Sequence, residues 1–368
     1  MAGSVTACRS CGGRLTITMA DLGMQPPSNA FLASPSEAAG EKRYPLRAKV
    51  CEICKLVQVD FDVAPEELFG NYVYFSSYSE DWLAHALRYA DMARRRFDLG
   101  PESLVVELAS NDGYLLKNFL KMGIPVLGID PSDTVARAAE GVGVPTLVEF
   151  FGETLGRKLA HEGRGADLIV ANNVLAHVPQ LNDFVAGIAA LLKPGGNATI
   201  EFPHLLKLIE NVEFDTIYHE HYSYLSLTSV EHLFSRHGLR VYDVEELSTH
   251  GGRCAFSQRM RGARSFLTAS RCGHCARRKP RRDWASSTPT GASRTTWRPA
   301  GARCKTFSPG HNANRSAWRR TGPQPRETRC STSAVSRPGI LRWWRTAIRT
   351  SKASSCPAPT FRSYRRRR

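Results

Sequence analysis

The 368-residue sequence predicts an α/β protein: a doubly wound parallel sheet preceded by a small metal-binding module. Three observations predict it. Strand-like and helix-like segments alternate from Ser103 to Phe202, two CxxC pairs stand near the N-terminus, and the composition breaks after Gly252. Residues 1–252 carry 21 Lys and Arg against 32 Asp and Glu, net −11; residues 253–368 carry 29 against 2, net +27. The overall charge of +16 thus describes neither part. The expected division is a metal module at 1–75, an α/β domain at 76–252 and a basic tail at 253–368.

In the module, Cys8-Arg-Ser-Cys11 and Cys51-Glu-Ile-Cys54 are separated by 39 residues and hold all four cysteines of the first 252 positions. Each pair suits a tight knuckle aiming two thiolates at one ion. Four sulfurs at about 2.3 Å close a tetrahedral Zn2+ site, structural because no position stays open for a substrate. A redox CxxC would open a helix after a strand, whereas Gly12-Gly13 after Cys11 reads as a knuckle turn. Asp21 to Leu32, with Pro26 and Pro27, reads as loop; Leu56 to Phe61 alternates like a strand. No run of about 18 apolar residues and no charged-then-apolar leader pattern occur, so a soluble cytoplasmic protein without a membrane partner is expected. A zinc ribbon could itself bind nucleic acid. The acidic balance of residues 1–252 and the lack of clustered basic and aromatic residues in the ribbon argue against that partner.

The α/β part follows in order. Leu104–Ala109 reads as a buried strand, Ser110–Gly113 as a turn, Tyr114–Met122 as an amphipathic helix and Val126–Asp130 as a second strand ending in an acid. Then come a strand at Asp167–Ala171, a helix at Leu181–Leu192, a turn at Lys193–Gly196 and a strand at Ala198–Phe202. Leu227–Gly238 reads as a capped helix and Leu239–Leu247 as a strand. A ligand of such a sheet lies beyond the carboxyl ends of its strands. The first turn offers Gly113 alone instead of GxGxxG, which serves a pyrophosphate poorly. Asp130, 17 residues on, suits a ribose diol, while Glu107 and Asp112 repel phosphate and attract an ammonium or sulfonium. The combination fits S-adenosylmethionine.

Several segments together carry a family resemblance: Glu107–Gly113 (ELASNDG), Gly128–Ser132 (GIDPS), Asn172–Pro179 (NNVLAHVP), Asp215–Ser226 (DTIYHEHYSYLS), Asn71–Ser79 (NYVYFSSYS) and the four-cysteine module. Residues 7–252 resemble the sugar C-methyltransferases, which act on nucleotide-linked ketodeoxysugars in antibiotic pathways. The resemblance implies a class I methyltransferase (Rossmann-like) sheet and a nucleotide-sugar substrate. It implies donor contacts from Glu107, Ala109, Asn111, Asp112, Gly113, Asp130, Pro131, Ser132, Asn172 and Asn173. On the sugar side it implies Tyr72, Tyr74, Ser77 and Tyr222. By pattern alone Tyr72 and Tyr74 share one face of a strand and would be core, and Asn172 and Asn173 could equally cap the next helix.

Methylation beside a ketone needs a base to remove the α proton, and a histidine is matched to that task near neutral pH. Tyr218-His-Glu-His221 concentrates candidates. On extended backbone His219 and His221 share one face and Tyr218, Glu220 and Tyr222 the other; a turn would instead join Tyr218 to His221. The resemblance implies His221 as general base, with Tyr218 and Glu220 assisting. His177, following the strand at Leu168–Ala171, projects toward the donor's methyl end as a third candidate. The sequence leaves the exact sugar and the oligomeric state open.

The tail has its own signature: 26 Arg but 3 Lys, five of the six Trp and six of the ten Cys. That is the composition of a GC-rich gene read out of frame. Arg319–Val335 permits codons that read AYGAAAKGNTLLNFCG one nucleotide over, which resembles the KGN-type motif of the family's C-terminal domain. GGRCAFSQR at the break permits SLRVFA under the same shift. One lost base at the Gly252 codon explains both. The family's antiparallel seventh strand would begin near Arg253, so the break is expected to remove it and the sugar-side domain. The tail should be disordered, and the chain as translated weak or inactive.

Overall fold

The computed structural model describes residues 3–28, 32, 34–69, 75–247 and 254–260. In the N-terminal module the apolar alternation Leu46, Ala48, Val50 fixes which face of the chain turns inward. β1 (Leu15–Gln25), β2 (Tyr44–Cys51) and β3 (Val57–Val59) pair antiparallel. The short strand Ser223–Tyr224 adds to the free edge of β3, so a segment more than 160 residues downstream completes this sheet. Residues 21–25, expected as loop, belong to β1. Its register slips between Asp21 and Met24, where Gly23 has φ +71°, and pairing then resumes with Met24 opposite Pro45.

Runs of Val, Leu and Ile make the central strands. β4 (Val105–Leu108), β5 (Val126–Ile129), β6 (Thr146–Leu147), β7 (Ala166–Asn172) and β8 (Leu192–Phe202) pair in parallel; β4, β5 and β7 lie within a residue or two of their sequence expectations, and β8 begins six residues before its own. Lys193–Gly196, expected as a turn, is instead an irregularity inside β8: pairing with β7 breaks between Leu192 and Asn197, around Gly195 at φ +84°. β9 (Leu239–Glu246) and β10 (Cys254–Met260) finish a seven-stranded sheet of order β9-β10-β8-β7-β4-β5-β6.

β10 is a correction. The composition break was expected to remove the strand between β8 and β9, yet residues 254–260 pair antiparallel with both neighbours. Ladder bonds join main-chain groups, so any extended segment without proline can fill a gap flanked by two free edges. The other calls on 253–368 lie outside the described residues.

Successive side chains on each strand enter opposite cores, as a doubly wound sheet requires. From residue 80 onward the described helices are α1 (Glu80–Arg96), α2 (Leu116–Lys121), α3 (Asp133–Gly141), α4 (Glu153–His161), α5 (Leu181–Leu191), α6 (Leu205–Glu210) and α7 (Leu227–Arg236). Val106, Leu108, Ile169 and Ala171 pack with α4 and α5 on one face; Val105, Leu168 and Val170 pack with α1 and α2 on the other. Ser79 caps α1, accepting from Trp82 N at 3.2 Å, and Ser226 with Ser229 forms a reciprocal box at α7. α4 meets α5 glycine to glycine: a Cβ on Gly156 would stand 2.5 Å from the Gly187 carbonyl oxygen. No helix among the described residues is long and apolar enough to cross a membrane.

Candidate active site and metal cluster

The four cysteine sulfurs lie within 4.8 Å of one another, with Cys8 to Cys54 and Cys11 to Cys51 both at 3.4 Å and no disulfide formed. A tetrahedron with arms of about 2.3 Å has edges of about 3.8 Å, so the cluster fits one zinc-sized ion. The knuckles form by main-chain bonds: Gly12 N to Cys8 O at 2.9 Å and Lys55 N to Cys51 O at 3.0 Å. Gly12 and Lys55 take positive φ to close them. A Cβ on Gly13 would come 3.3 Å from the sulfurs of both Cys11 and Cys51. The Cys8 thiol is held at about 5, chiefly by its hydrogen bond with Cys54, whose own thiol is pushed up.

At the carboxyl ends of β4 and β5 the chain makes a turn from three left-handed residues, Ala109, Asn111 and Gly113, at φ +56°, +51° and +74°. Asp130 locks it: one carboxylate oxygen accepts from Asn111 N at 3.0 Å and the other from Ser132 N at 2.9 Å. Asn111 and Asp112 also accept from Ser76 N and Ser77 N, at 3.0 and 3.1 Å. Ser77, placed on the sugar side by resemblance, therefore touches the donor turn through its main chain. Glu107 is fully buried; desolvation, then Asp130 and Asp112, push its carboxyl well above the ordinary range. Burial raises Asp130 as well. Glu107 Oε2, Asp112 Oδ1, Asn172 Nδ2 and Asn173 Oδ1 have no hydrogen-bond partner among the described residues. A turn carrying three carboxyl groups, two of them with an unfilled acceptor oxygen, suits a cationic ligand that also donates hydrogen bonds. Pro131 is exposed and Ser132 half-buried at the outer edge of this site.

The turn between α6 and Ser223 carries the histidines. His221 N donates to Tyr218 O at 3.1 Å, so the turn alternative holds and joins Tyr218 to His221. Tyr218 Oη lies 2.8 Å from His221 Nε2, and His221 Nδ1 lies 2.9 Å from the Thr216 carbonyl oxygen. A carbonyl only accepts. Nδ1 therefore carries the hydrogen of the neutral ring, and Nε2 presents a lone pair to the Tyr218 hydroxyl. The His177 ring packs edge-on at 4.7 Å between centroids.

Other members of the turn face the N-terminal module. Glu220 Oε1 accepts from Ser28 Oγ at 2.9 Å, and His219, its basicity lowered by burial, packs against Tyr44 at 6.0 Å. Tyr222, expected to touch sugar, is fully buried with its hydroxyl on Val63 O at 2.7 Å, which corrects that assignment. The 218–221 turn interrupts the extended alternation, and the Tyr222 ring lies in the core of the N-terminal module. Tyr72 and Tyr74 lie outside the described residues.

A buried polar group went unread in the sequence. His85 Nε2 meets Glu201 Oε2 at 2.9 Å, and Trp82 stacks on both His85 and Tyr114, at 5.0 and 6.0 Å. The available signal was Glu201 itself, an acid inside an apolar strand.

Residues 8–69 match a family model described as "Putative zinc binding domain", and residues 79–244 match a "Methyltransferase domain". The C-methyltransferase NovU of Streptomyces niveus is 36% identical over 248 residues, 67% of this chain and 59% of that protein. A ubiquinone biosynthesis O-methyltransferase of Methylobacterium sp. (strain 4-46) is 37% identical over 109 residues, 27% of this chain and 43% of that protein. The PH0226 protein of Pyrococcus horikoshii OT3 superposes on 53% of this chain and 99% of its own, at 16% identity and a TM-score of 0.43. The chain thus spans less than two thirds of the length of these curated relatives.

Proposed function

The chain is a homologue of the C-methyltransferase NovU and itself matches a zinc-binding and a methyltransferase domain model, and from that premise we propose its reaction. It moves a methyl group from S-adenosylmethionine to the carbon beside the ketone of a nucleotide-linked (TDP) 4-ketodeoxysugar, in deoxysugar and antibiotic biosynthesis. The observation that carries this reading is the Tyr218–His221 pair, at 2.8 Å with its tautomer fixed by Thr216.

His221 Nε2 is the proton acceptor for the α carbon, and the Tyr218 hydroxyl on that nitrogen shuttles or steadies the proton. His177, packed on the His221 ring, is placed to share the charge that forms. Glu107, Asp112 and Asn172 would hold the donor's cationic end, and Asp130 with Ser132 its ribose. S-adenosylmethionine supplies an electrophilic methyl group when bound. Cys8, Cys11, Cys51 and Cys54 would hold a structural zinc ion. The working division remains 1–75, 76–252 and 253–368, with a frame loss at Gly252 that exchanges the sugar-side domain for the basic tail. The partners are then small molecules in the cytoplasm, without nucleic acid.

The test incubates the full chain with S-adenosylmethionine and a TDP-linked 4-ketodeoxysugar and locates the new methyl by NMR. A carbon-bound methyl beside the ketone supports the reading. Transfer to oxygen, or to other carbonyl acceptors only, replaces it with another methyltransferase activity. Absence of donor binding by calorimetry replaces it with a zinc-ribbon binding module.

A further inference from the structure

Arg9 sits between the two cysteines of the first knuckle, yet its side chain is only 5% exposed. The guanidinium pairs with both oxygens of Asp62, donates to Val59 O at 3.4 Å and stands over the Tyr222 ring, 5.2 Å from its centroid. Its main-chain N–H donates to Gln58 Oε1 at 2.8 Å. Its carbonyl and that of Ser10 accept from Asn182 Nδ2 at 2.7 and 2.9 Å, which docks the knuckle on the first turn of α5.

Tyr222 is the residue after His221. Its main chain is held by Val59 N, donating to Tyr222 O at 3.1 Å, and its hydroxyl by Val63 O. Ser223 then pairs with Gln58. Arg9 thus touches Val59 and Gln58, the two residues that grip the chain leaving His221, and also the Tyr222 ring between them. Burying a guanidinium is unfavourable unless well paired; the planar fork on Asp62 with an aromatic face below offsets much of that cost as lysine could not, while Nε has no hydrogen-bond partner among the described residues.

We infer that Arg9 is a positioning residue for the catalytic turn: it clamps Tyr222 and thereby fixes the backbone that aims the His221 ring at Tyr218 and Thr216. The four-cysteine cluster, through the residue between its first two ligands, is then a brace for the histidine rather than a remote staple. The kinetic half of this inference rests on the proposed methyl transfer; the positional half does not.

The experiment compares the full chain with Arg9→Met, Arg9→Lys and, as a surface control, Arg14→Met. Zinc content and donor affinity are measured alongside kcat, KM and the imidazole 15N shifts of His221, assigned by difference from His221→Asn. Expected for Arg9→Met are unchanged zinc and donor affinity, a fall of about tenfold in kcat with KM little changed, and loss of the single Nδ1–H signature. Arg9→Lys should recover part of both, and Arg14→Met should match the parent. An unchanged His221 spectrum with parental kcat in Arg9→Met overturns the inference, as does a kcat loss matched by equal loss of zinc. If Arg9→Met fails to fold, an Arg9→Lys chain with a parental spectrum overturns it. If the parent transfers no methyl group, as the frame loss leads one to expect, the spectra decide whether Arg9 positions the ring; if a frame-restored chain also transfers none, the functional reading fails while that positional result stands.

Discussion

Replacing His221 with Asn separates chemistry from architecture. The Asn Nδ2 can still donate to Thr216 O, as His221 Nδ1 does at 2.9 Å, so the turn should persist. What disappears is the basic nitrogen that faces Tyr218 Oη at 2.8 Å. Loss of that hydrogen bond should lower stability by about 1 kcal/mol. Loss of a positioned general base should lower kcat by roughly 10²–10⁴, equivalent to about 3–5.5 kcal/mol of barrier. The two effects differ enough in size to be told apart. Two assays apply: single-turnover transfer from labelled donor, and exchange of the ketosugar's α hydrogen with deuterated water without donor. The variant should bind donor as the parent does, exchange far more slowly and transfer more slowly in proportion. Parental exchange or a kcat within threefold of the parent would refute His221 as the base.

Three further outcomes follow from the structure. His204 is buried with both ring nitrogens unpartnered among the described residues, and desolvation lowers it to about 4. Unfolded, it takes a proton below about 6.5, so between these values the unfolded chain binds more protons and stability falls as the pH drops, by up to about 3 kcal/mol; urea midpoints from pH 7.5 to 4.5 should show this slope, and His204→Gln should flatten it. Cys51→Ser removes one of four clustered sulfurs. A structural zinc is worth on the order of 10 kcal/mol in small modules, so the variant should lose zinc and become protease-sensitive within residues 3–69, and an unchanged digestion pattern counts against the metal. Restoring the frame after the Gly252 codon should raise kcat/KM for the nucleotide sugar and leave donor affinity unchanged; an intact natural frame, found by sequencing the gene, removes the premise.

The parts legible in the sequence are those whose cause is local. β4, β5, β7 and β8 announce themselves as short apolar runs, and the ligand end of the sheet follows from their alternation with helices. The cysteine pairs specify their own cluster because spacing alone brings each pair together. What stayed hidden depends on partners far along the chain. Glu220 adjoins His221 in sequence, and nothing there announces that its carboxylate partner Ser28 lies 192 residues away. Tyr222 reads as a site residue until Val63 takes its hydroxyl. Residues 21–25 read as loop because Gly23 and two following prolines outweigh a strand whose partner, β2, begins at Tyr44. The turn at 218–221 was one of two permitted geometries, and only packing against β3 chooses between them.

The strand at the composition break poses the sharpest question about the sheet. Among the described residues β9 has β10 as its one ladder partner, and β10 is built wholly from residues beyond Gly252. Side-chain ties also hold β9 in place: Tyr242 Oη donates to Asn197 Oδ1 at 2.8 Å, and Asp243 pairs with Arg96. If the ladder dominates, a chain ending at Gly252 leaves the edges of both β8 and β9 unpaired and should be less stable than one ending at Met260 by roughly 3 kcal/mol. If the side-chain ties dominate, the two chains should unfold together, because a half-buried hydrogen bond and a surface ion pair contribute without regard to β10. The ladder is the stronger candidate: it runs from Asn197 to Phe202 on one side and from Leu239 to Glu246 on the other. Urea unfolding of chains 1–252 and 1–260, followed by circular dichroism, distinguishes the cases. Equal midpoints would mean that residues 254–260 fill this position without supporting the sheet. A higher midpoint for 1–260 would mean that the backbone ladder of this strand supports the sheet.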